Sequence, residues 1–445
     1  MRSLLRSRRG SAAFATVIAL VPLIGVVALG GEAGSWYVTR QHAQNAADAA
    51  AYSGAVQQLC LSGSSCAVSQ TWDYRAKQSA AHNAFCNAGT SYPGSKCVTS
   101  PAGVSHSVQV ASLGSWKGIA GTYIQATVSQ QQPAYLARVL GLSTVNIAAT
   151  AVAKVQIIEK PPCVLALTGS VSFQGSPNIN APNCGMASNS MANDAINFTG
   201  GGMSMNLGSL TSVGGCTGAA SFCNTALTYM PAPIPNPFSA LDAVTIPTLA
   251  KCSGSALTAY SAATPCRNDK FKLTGNASGS PPPLTGGVYF ISDTFTLSGG
   301  VSISGTALFI LLPGASLKVT GNSSLNLTGN PSVAASQLPS ALQSDAIRSL
   351  FAHMALYKIT DPDTSKNGPN DVQLGGTSGI ELKGIMYLPS ANVTFQGNPT
   401  LDVTGGKCGE LISKSVAFNG NATFDTTGCP SQTKLVSSQY VQLVQ

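Results

Sequence analysis

The chain has 445 residues, of which 9% are charged, and it carries 46 glycines and a formal net charge of +8. This length allows about two or three domains, and the low charge means that small polar side chains must supply most of the polar surface, because ordinary soluble domains are about a quarter charged. The positive excess is confined to the first 160 residues, and it forms no basic face with interleaved aromatics, so no nucleic-acid partner is expected.

The amino terminus predicts a membrane anchor. Residues 1–9 contain Arg2, Arg6, Arg8 and Arg9, and the following stretch Gly10–Gly31 has no charged residue. About 20 apolar helical residues span the hydrocarbon core of a bilayer, and basic residues before the span favour a cytoplasmic amino terminus. We therefore expect a cytoplasmic tail (1–9), a transmembrane helix (10–31) and an extracytoplasmic remainder. A cleaved signal peptide with a site near Ala28-Leu29-Gly30 is the alternative, although its apolar core is usually only about 7–15 residues long.

The membrane helix is predicted to continue beyond the bilayer to about Leu59. Trp36 and Tyr37 suit the membrane interface, and the alanines of "QNAADAAAYSGA" (44–55) favour a helix with one face of small residues. A second short helix is predicted at 69–85.

Three stretches resemble one known family. They are "ALGGEAGSWYVTR" after the apolar span, "QNAADAAAYSGA", and "ATVSQQQPAYLARVLGLSTVNIAATAVAKV" (126–155), and together they resemble TadE/TadG-like proteins of the Tad (Flp) pilus-assembly system. The resemblance concerns the first 155 residues and makes 32–160 the TadE/TadG-like extracytoplasmic region.

The resemblance implies a bacterial inner-membrane protein whose carboxy-terminal part is periplasmic or at the cell surface. Its role would be a structural or assembly component of a pilus or adhesion system, not an enzyme, with no cofactor. The small-residue face around Ala46 and Ala50 would contact other pilus-assembly proteins. Some relatives are cleaved after a Gly with Glu at the fifth following position, but Ala15 stands there, and the Asp-x-Ser-x-Ser metal motif of others is absent from this sequence.

From residue 161 the sequence predicts a mainly β region. Short segments such as "VSISG" and "SLNLTGN" alternate apolar and polar residues and end in Gly or Asn, which is typical of strands with one buried face. Their close spacing favours a β-solenoid resembling a parallel β-helix over 161–445, with an antiparallel β-sandwich as the alternative. A Pro-rich excursion at 230–287 and a second excursion at 336–351 interrupt the array.

One ten-residue pattern occurs twice, as "VSFQGSPNIN" (171–180) and "VTFQGNPTLD" (393–402). Val, Phe and the Ile or Leu alternate like the inward face of a strand, and Gln-Gly-x-Pro reads as a corner. The pattern predicts a structural unit rather than a site, and leaves open whether both copies belong to one array.

Twelve cysteines, none in a CxxC motif, favour disulfides in an oxidising compartment over a zinc site. Pairing between neighbours is the hypothesis, since connectivity does not follow from sequence. The expected pairs are Cys60/Cys66, Cys86/Cys97, Cys163/Cys184, Cys216/Cys223, Cys252/Cys266 and Cys408/Cys429.

Few residues invite a chemical role. Asp361, Asp363, Asn367 and Asp371 form a weak Ca²⁺ candidate, because oxygen ligands alternate there without the Gly and Glu spacing of a calcium loop; a solvated turn is the alternative. Asp402 and Asp425 occupy comparable repeat positions. They leave open a second function, a membrane-tethered β-helical carbohydrate-active enzyme or carbohydrate-binding adhesin, which makes cell-surface polysaccharide a candidate partner. A secreted stalk released by signal peptidase is the third interpretation.

Overall fold

The computed structural model describes residues 8–61, 70–97, 101–157, 160–218, 220–225, 227–230, 232–254, 256–269, 272–274, 281–360, 371–376, 379–397, 400–402, 409–425 and 439–444. The chain packs into two compact units. The first contains the amino-terminal part to Gln156 and the last residues from Val441, and the second runs from Ile157 to Tyr440. A boundary between 160 and 161 was the expectation from sequence.

The first unit begins with one helix, Arg8–Leu61 (α1), which contains Pro22. Its 54 residues give a length of about 80 Å at 1.5 Å per residue, and its amino-terminal part is long and apolar enough to cross a membrane. The predicted continuation to about Leu59 is confirmed. The second helix, Trp72–His82 (α2), lies inside the predicted range, and its start is capped by Thr71, whose hydroxyl accepts a hydrogen bond from the Tyr74 N–H at 3.2 Å.

Three antiparallel strands follow, Ser105–Trp116 (β1), Ile119–Pro133 (β2) and Thr144–Ile157 (β3). A 3₁₀ helix, Ala137–Leu140, lies in the connection between β2 and β3. Residues 126–155, one of the three stretches that carry the family resemblance, thus cover the end of β2, the connection and most of β3.

α1 packs its small residues against this sheet. Ala46 and Ala50 are fully buried in a cluster that also contains Ile124 and Val128 of β2. At Gly54 the approach is close, because an added Cβ would lie 3.0 Å from Ile124 Cγ2 and 3.1 Å from the Ala76 Cβ of α2. The alanine-rich sequence is therefore what allows helix and sheet to approach closely.

The second unit is mainly β. Its strands are Pro162–Ala166 (β4), Val171–Gly175 (β5), Asn178–Ser188 (β6), Ile196–Phe198 (β7), Ser204–Ser212 (β8), Cys216–Gly218 (β9), Leu227–Tyr229 (β10), Ala250–Lys251 (β11), Cys266–Asp269 (β12), Lys272–Thr274 (β13), Leu284–Ser292 (β14), Thr294–Ser298 (β15), Ser302–Leu311 (β16), Ser316–Val319 (β17), Ser324–Thr328 (β18), Met354–Lys358 (β19), Val372–Gly376 (β20), Gly379–Gly397 (β21), Thr400–Asp402 (β22), Gly409–Gly420 (β23) and Thr423–Asp425 (β24).

Short helices punctuate these strands. They are the α-helices Ala220–Thr225 (α3), Ser239–Asp242 (α4) and Asp345–Arg348 (α5), and the 3₁₀ helices Ala335–Gln337, Ser340–Leu342 and Ser349–Phe351. α5 and its neighbouring 3₁₀ helices fall within the excursion predicted at 336–351.

The strands of the second unit pair in parallel. Together they are called the parallel array (Pro162–Asp425). β15 pairs with β17, β16 with β18, and β5 with β7, each in parallel register. Among the described pairings of this unit, antiparallel geometry occurs at the isolated bridge between Asn330 and Met354. The alternative of an antiparallel sandwich is therefore wrong.

Strands from the beginning and from the end of the array's sequence pair with one another in its interior. β21 pairs with β23, and β23 pairs in turn with β4 and β5, so that Val393, Val416 and Val171 stand side by side. The two copies of the ten-residue pattern thus belong to one array. A third copy, "VAFNGNATFD" (416–425), lies between them.

Apolar columns fill the interior of the array because equivalent positions of neighbouring strands align. Phe395, Phe418, Phe173 and Phe198 are buried and stack with ring centroids 4.9, 5.5 and 5.0 Å apart. The column ends at Phe222 of α3, 5.1 Å from Phe198. The inward role assigned to Phe from the alternating pattern is confirmed.

A second apolar layer covers one outer face of the array. The Pro-rich segment between β10 and β12, here called the strap (Met230–Tyr260), buries Ile234, Phe238 and Leu241 in one cluster with Tyr357 and Tyr387 of the array. The strands beneath it, such as β19, are buried on both faces. This explains why their sequences are continuous apolar runs rather than alternating ones.

The last strand, Gln439–Val444 (β25), leaves the second unit and joins the sheet of the first, whose order is β1-β2-β3-β25. Val441 is buried in the core of the first unit, and the Gln156 side-chain amide donates to Gln442 Oε1 at 3.2 Å. The parallel array is thus an insertion between two neighbouring strands of one sheet.

Candidate functional sites

The small-residue face of α1 is not available as a docking surface. Ala43, Ala46, Ala47 and Ala50 have no exposed surface, because β2 and α2 of the same unit cover them. The prediction that Ala46 and Ala50 contact another protein is therefore wrong for the folded unit. The face that α1 leaves exposed instead carries Tyr37, Val38, Gln41, Asn45 and Tyr52.

Glu32 organises the connection between β2 and β3. Its carboxylate accepts hydrogen bonds from the backbone N–H groups of Tyr135 at 2.7 Å, Leu136 at 3.0 Å and Ala137 at 2.8 Å. These N–H groups lie at the start of the 3₁₀ helix, where no helical carbonyl serves them and negative charge is favoured. No local pattern in the sequence predicts this role, although Glu32 is the first charged residue after the apolar span.

Four of the expected cysteine pairs are disulfides in the structure: Cys86–Cys97, Cys163–Cys184, Cys216–Cys223 and Cys252–Cys266. Cys66, Cys408 and Cys429 lie outside the described residues, so the pairs Cys60/Cys66 and Cys408/Cys429 stay predictions. The described disulfides close short loops, and Cys216–Cys223 ties α3 to β9 at the end of the array.

The calcium candidate falls largely outside the described residues, which do not include Asp361, Asp363 or Asn367. Asp371 is buried at the start of β20, and its backbone carbonyl accepts the Leu317 N–H at 3.0 Å. Within the described ranges no group of three or more His, Cys, Asp or Glu side chains has metal-binding geometry.

Asp402 and Asp425 occupy adjacent register positions, as their repeat positions predicted. The next positions of this column are Asn180 and Asn206. Asn180 donates its amide to Asp425 Oδ1 at 3.0 Å, and Asn206 donates to Asn180 Oδ1 at 2.8 Å. A side-chain amide ladder of this kind satisfies a carboxylate in a strand column.

A polar cluster lies where the strap meets the array. Tyr387 donates its hydroxyl to Asp242, the Asn236 amide contacts both at 2.8 and 3.2 Å, and the Tyr357 hydroxyl donates to the Leu241 carbonyl at 3.0 Å. Burial raises the pKa of Asp242 above its usual range, while the hydrogen bonds from Tyr387 and Thr360 oppose that shift. Burial likewise raises the pKa values of Tyr357 and Tyr387.

This cluster has a structural explanation. It provides hydrogen-bond partners for groups that the strap buries, as buried polar groups require. No local pattern in the sequence indicates this cluster, because its members come from distant parts of the chain.

A cleft of about 360 Å³ opens beside the cluster, between strap residues 244–249 and the array. Aliphatic side chains, among them Ile246, Leu312 and Ile359, form much of its wall. The guanidinium group of Arg267, which lies in the cleft wall, donates hydrogen bonds to Asp269 Oδ1 and to the Leu249 carbonyl. The described lining includes no aromatic ring on which a sugar would stack.

Residues 10–57 match the family model described as "Putative Flp pilus-assembly TadE/G-like". This segment coincides with α1, so the resemblance noted from the sequence holds over this helix. Comparison with curated proteins and comparison with solved structures each returned no match.

Proposed function

We propose that this protein is a membrane-anchored structural or assembly component of a Tad/Flp-type pilus or adhesion system. The observation that carries the proposal is the family match over residues 10–57, which covers the span-forming part of α1 and the alanine-rich part that builds the first unit. A family of pilus-assembly proteins and a helix suited to a membrane together favour a mechanical role over catalysis.

The proposed topology is a single pass with a cytoplasmic amino terminus, and the parts of both units that follow the span lie on the other side of a bacterial inner membrane. The four domains expected from the sequence are kept, except that β25 belongs with the sheet of the 32–160 region. Arg2, Arg6, Arg8 and Arg9 support this orientation through the positive-inside rule. The disulfides support an oxidising compartment.

The parallel array is proposed to be a β-solenoid that projects a stiff surface. Its support is the repeated parallel register, in which a strand usually aligns with one about 20–25 positions away, together with columns of identical residue types. Inside such a stack every strand between two others has its backbone groups paired on both edges, which resists bending.

Partner contact is proposed to use the exposed face of α1. Tyr52 can be replaced by p-benzoylphenylalanine in cells that produce pili of this type, followed by irradiation and identification of the adduct. We expect an adduct with another pilus-assembly protein. A full-length protein that fractionates with the membrane but yields adducts only to proteins outside the pilus system would contradict the proposal.

The alternative is a membrane-tethered enzyme or adhesin that acts on carbohydrate. The stacked positions of Asp402 and Asp425 favour it. Release of reducing ends from a cell-surface polysaccharide by the purified full chain, lost in Asp425→Asn and kept in the exposed control Asp194→Asn, would establish the enzyme.

A further inference from the structure

The connection between β2 and β3, here called the Glu32 loop (Pro133–Ser143), turns large apolar side chains outward. Tyr135 is 74% exposed, Leu142 is 47% exposed and Leu136 is 43% exposed. The small residues Ala134 and Ala137 are buried instead. The loop therefore presents an apolar surface that its own unit does not cover.

The loop is held in this form. Besides the three hydrogen bonds to Glu32, the Ala134 N–H donates to the Ser143 carbonyl at 3.1 Å and closes the base of the loop. Gly141 ends the 3₁₀ helix with φ of 90°, a conformation that favours glycine. The exposed side chains consequently have a defined position along α1.

That position is the end of the apolar span. Glu32 follows Gly31 directly, and Trp36 and Tyr37 come about 6–8 Å further along the helix at 1.5 Å per residue. The polar interface on each side of a bilayer is about 5–8 Å thick. A loop bonded to Glu32 therefore lies no further from the hydrocarbon than the aromatic pair does.

We propose that the Glu32 loop is a second membrane contact, in which Tyr135, Leu136 and Leu142 enter the phospholipid interface. Tyrosine suits this depth because its ring is apolar and its hydroxyl polar. The exposed Arg138 of the same loop supplies a cation for the lipid phosphate.

The inference rests on the membrane anchoring proposed above. Its consequence is that the first unit is fixed to the bilayer at two points, the span and the loop. A helix alone leaves its tilt to its neighbours and anchors, whereas a second contact on one side restrains it.

The matched control is Ile119, which is also apolar and is 61% exposed. It lies at the other end of β2, because Ile119 pairs with Trp116 while Pro133 pairs with Thr144. At 3.3 Å per residue the 15 residues of β2 separate the two ends by about 45 Å. The same substitution at both ends therefore tests position rather than hydrophobicity.

The experiment uses the full chain in vesicles of phosphatidylethanolamine and phosphatidylglycerol. p-Benzoylphenylalanine replaces Tyr135, Leu142, Ile119 or Val26, one at a time, and phospholipid adducts are detected by mass after irradiation. Val26 is an exposed residue of the apolar span and reports anchoring itself. We expect lipid adducts at positions 26, 135 and 142, and none at position 119.

Lipid adducts at 26 but not at 135 or 142 would overturn the inference and leave the anchor intact. Absence of adducts at 26 would overturn the anchoring and, with it, the inference. Protein adducts at 135 in native membranes, without lipid adducts, would also overturn it, because the loop would then dock a protein.

Discussion

Val171 pairs with Val416 in parallel register, although most of the second unit separates them in sequence. The strands β4 and β5 therefore connect β6 and β7, from the beginning of the array's sequence, to β23 from its end. After β10, the strap leads the chain to β11 and β12 at the opposite end of the array. There β11 pairs with β12, and β12 pairs with β14. The array is consequently a non-local structure, and its stability depends on the junction at which β23 pairs with β4 and β5.

Phe418→Ala is expected to destabilise this junction, because Phe418 stacks between Phe395 and Phe173 and is fully buried. The loss is about 3–5 kcal/mol of unfolding free energy. Denaturant unfolding of the solubilised full chain measures it, with Asn197→Ala, an outward position on β7 of the same array, as control. Equal stability of both variants would show that the column of Phe side chains does not stabilise the junction.

Gly376→Ala is expected to destabilise the array for two reasons. Its φ of +93° disfavours a side chain, and an added Cβ would lie 2.2 Å from the Gly321 carbonyl oxygen. Gly314 has a similar φ of +78° but nothing within 4 Å of an added Cβ. Gly314→Ala should therefore cost about 1 kcal/mol, clearly less than Gly376→Ala; equal melting temperatures for the two variants would contradict the close approach.

Glu32→Ala is expected to loosen the Glu32 loop, because three backbone N–H groups lose a charged acceptor. Hydrogen exchange at Tyr135, Leu136 and Ala137 should accelerate about tenfold or more, since each such bond contributes about 1–3 kcal/mol. Glu32→Gln keeps one acceptor oxygen, so its exchange rates should be intermediate. Unchanged exchange in Glu32→Ala would mean that the loop holds its shape by packing alone.

Ala46→Leu is expected to destabilise the first unit rather than merely weaken a partner contact. Ala46 is fully buried between α1 and the sheet, and overpacking such a site costs about 1–3 kcal/mol. Asn45→Leu places the same side chain on the exposed neighbouring position and should leave the melting temperature nearly unchanged. A stable Ala46→Leu variant would restore the small-residue face as a candidate docking surface.

Asp242→Asn is expected to change how stability depends on pH. The pKa of the Asp242 carboxyl is raised in the folded state, so folding favours its protonated form, and this contribution is lost as pH rises through the raised pKa. The variant does not titrate there. Its stability relative to the natural chain should therefore increase from about pH 3.8 upward and level off once Asp242 is ionised.

Melting temperatures of the solubilised full chain across this range measure the difference. Tyr387→Phe removes a hydrogen bond that lowers the pKa of Asp242, so the transition should move to higher pH in that variant. A difference between Asp242→Asn and the natural chain that stays constant with pH would contradict the burial of the carboxylate.

Local patterns predicted part of this structure. The long helix, the mainly β second unit, the inward Phe of the ten-residue pattern and four cysteine pairs follow from periodicity or spacing, which act over short distances. Strand direction and the pairing of β23 with β5 do not, because alternation is the same for parallel and antiparallel strands. The continuous runs "ALFILL" and "GIMYL" are typical of strands buried on both faces, although the region was interpreted from its sequence as strands with one buried face. Nothing local identified the strap as the cover of the second face.

The candidate sites show the same limit. Glu32 and Tyr135 are 103 positions apart, and Asp242 and Tyr387 are 145 apart, so neither contact leaves a motif. The alanine pattern was correctly identified as helical, but composition cannot distinguish a face that packs internally from one that binds another protein.

The return of β25 to the sheet beside β3 has a consequence for how such a chain can change. Both connections to the parallel array start from the adjacent strands β3 and β25. The array can therefore be replaced by another inserted domain while α1, the sheet and the Glu32 loop keep their contacts. Natural variation and protein engineering can then alter the parallel array without rebuilding the first unit.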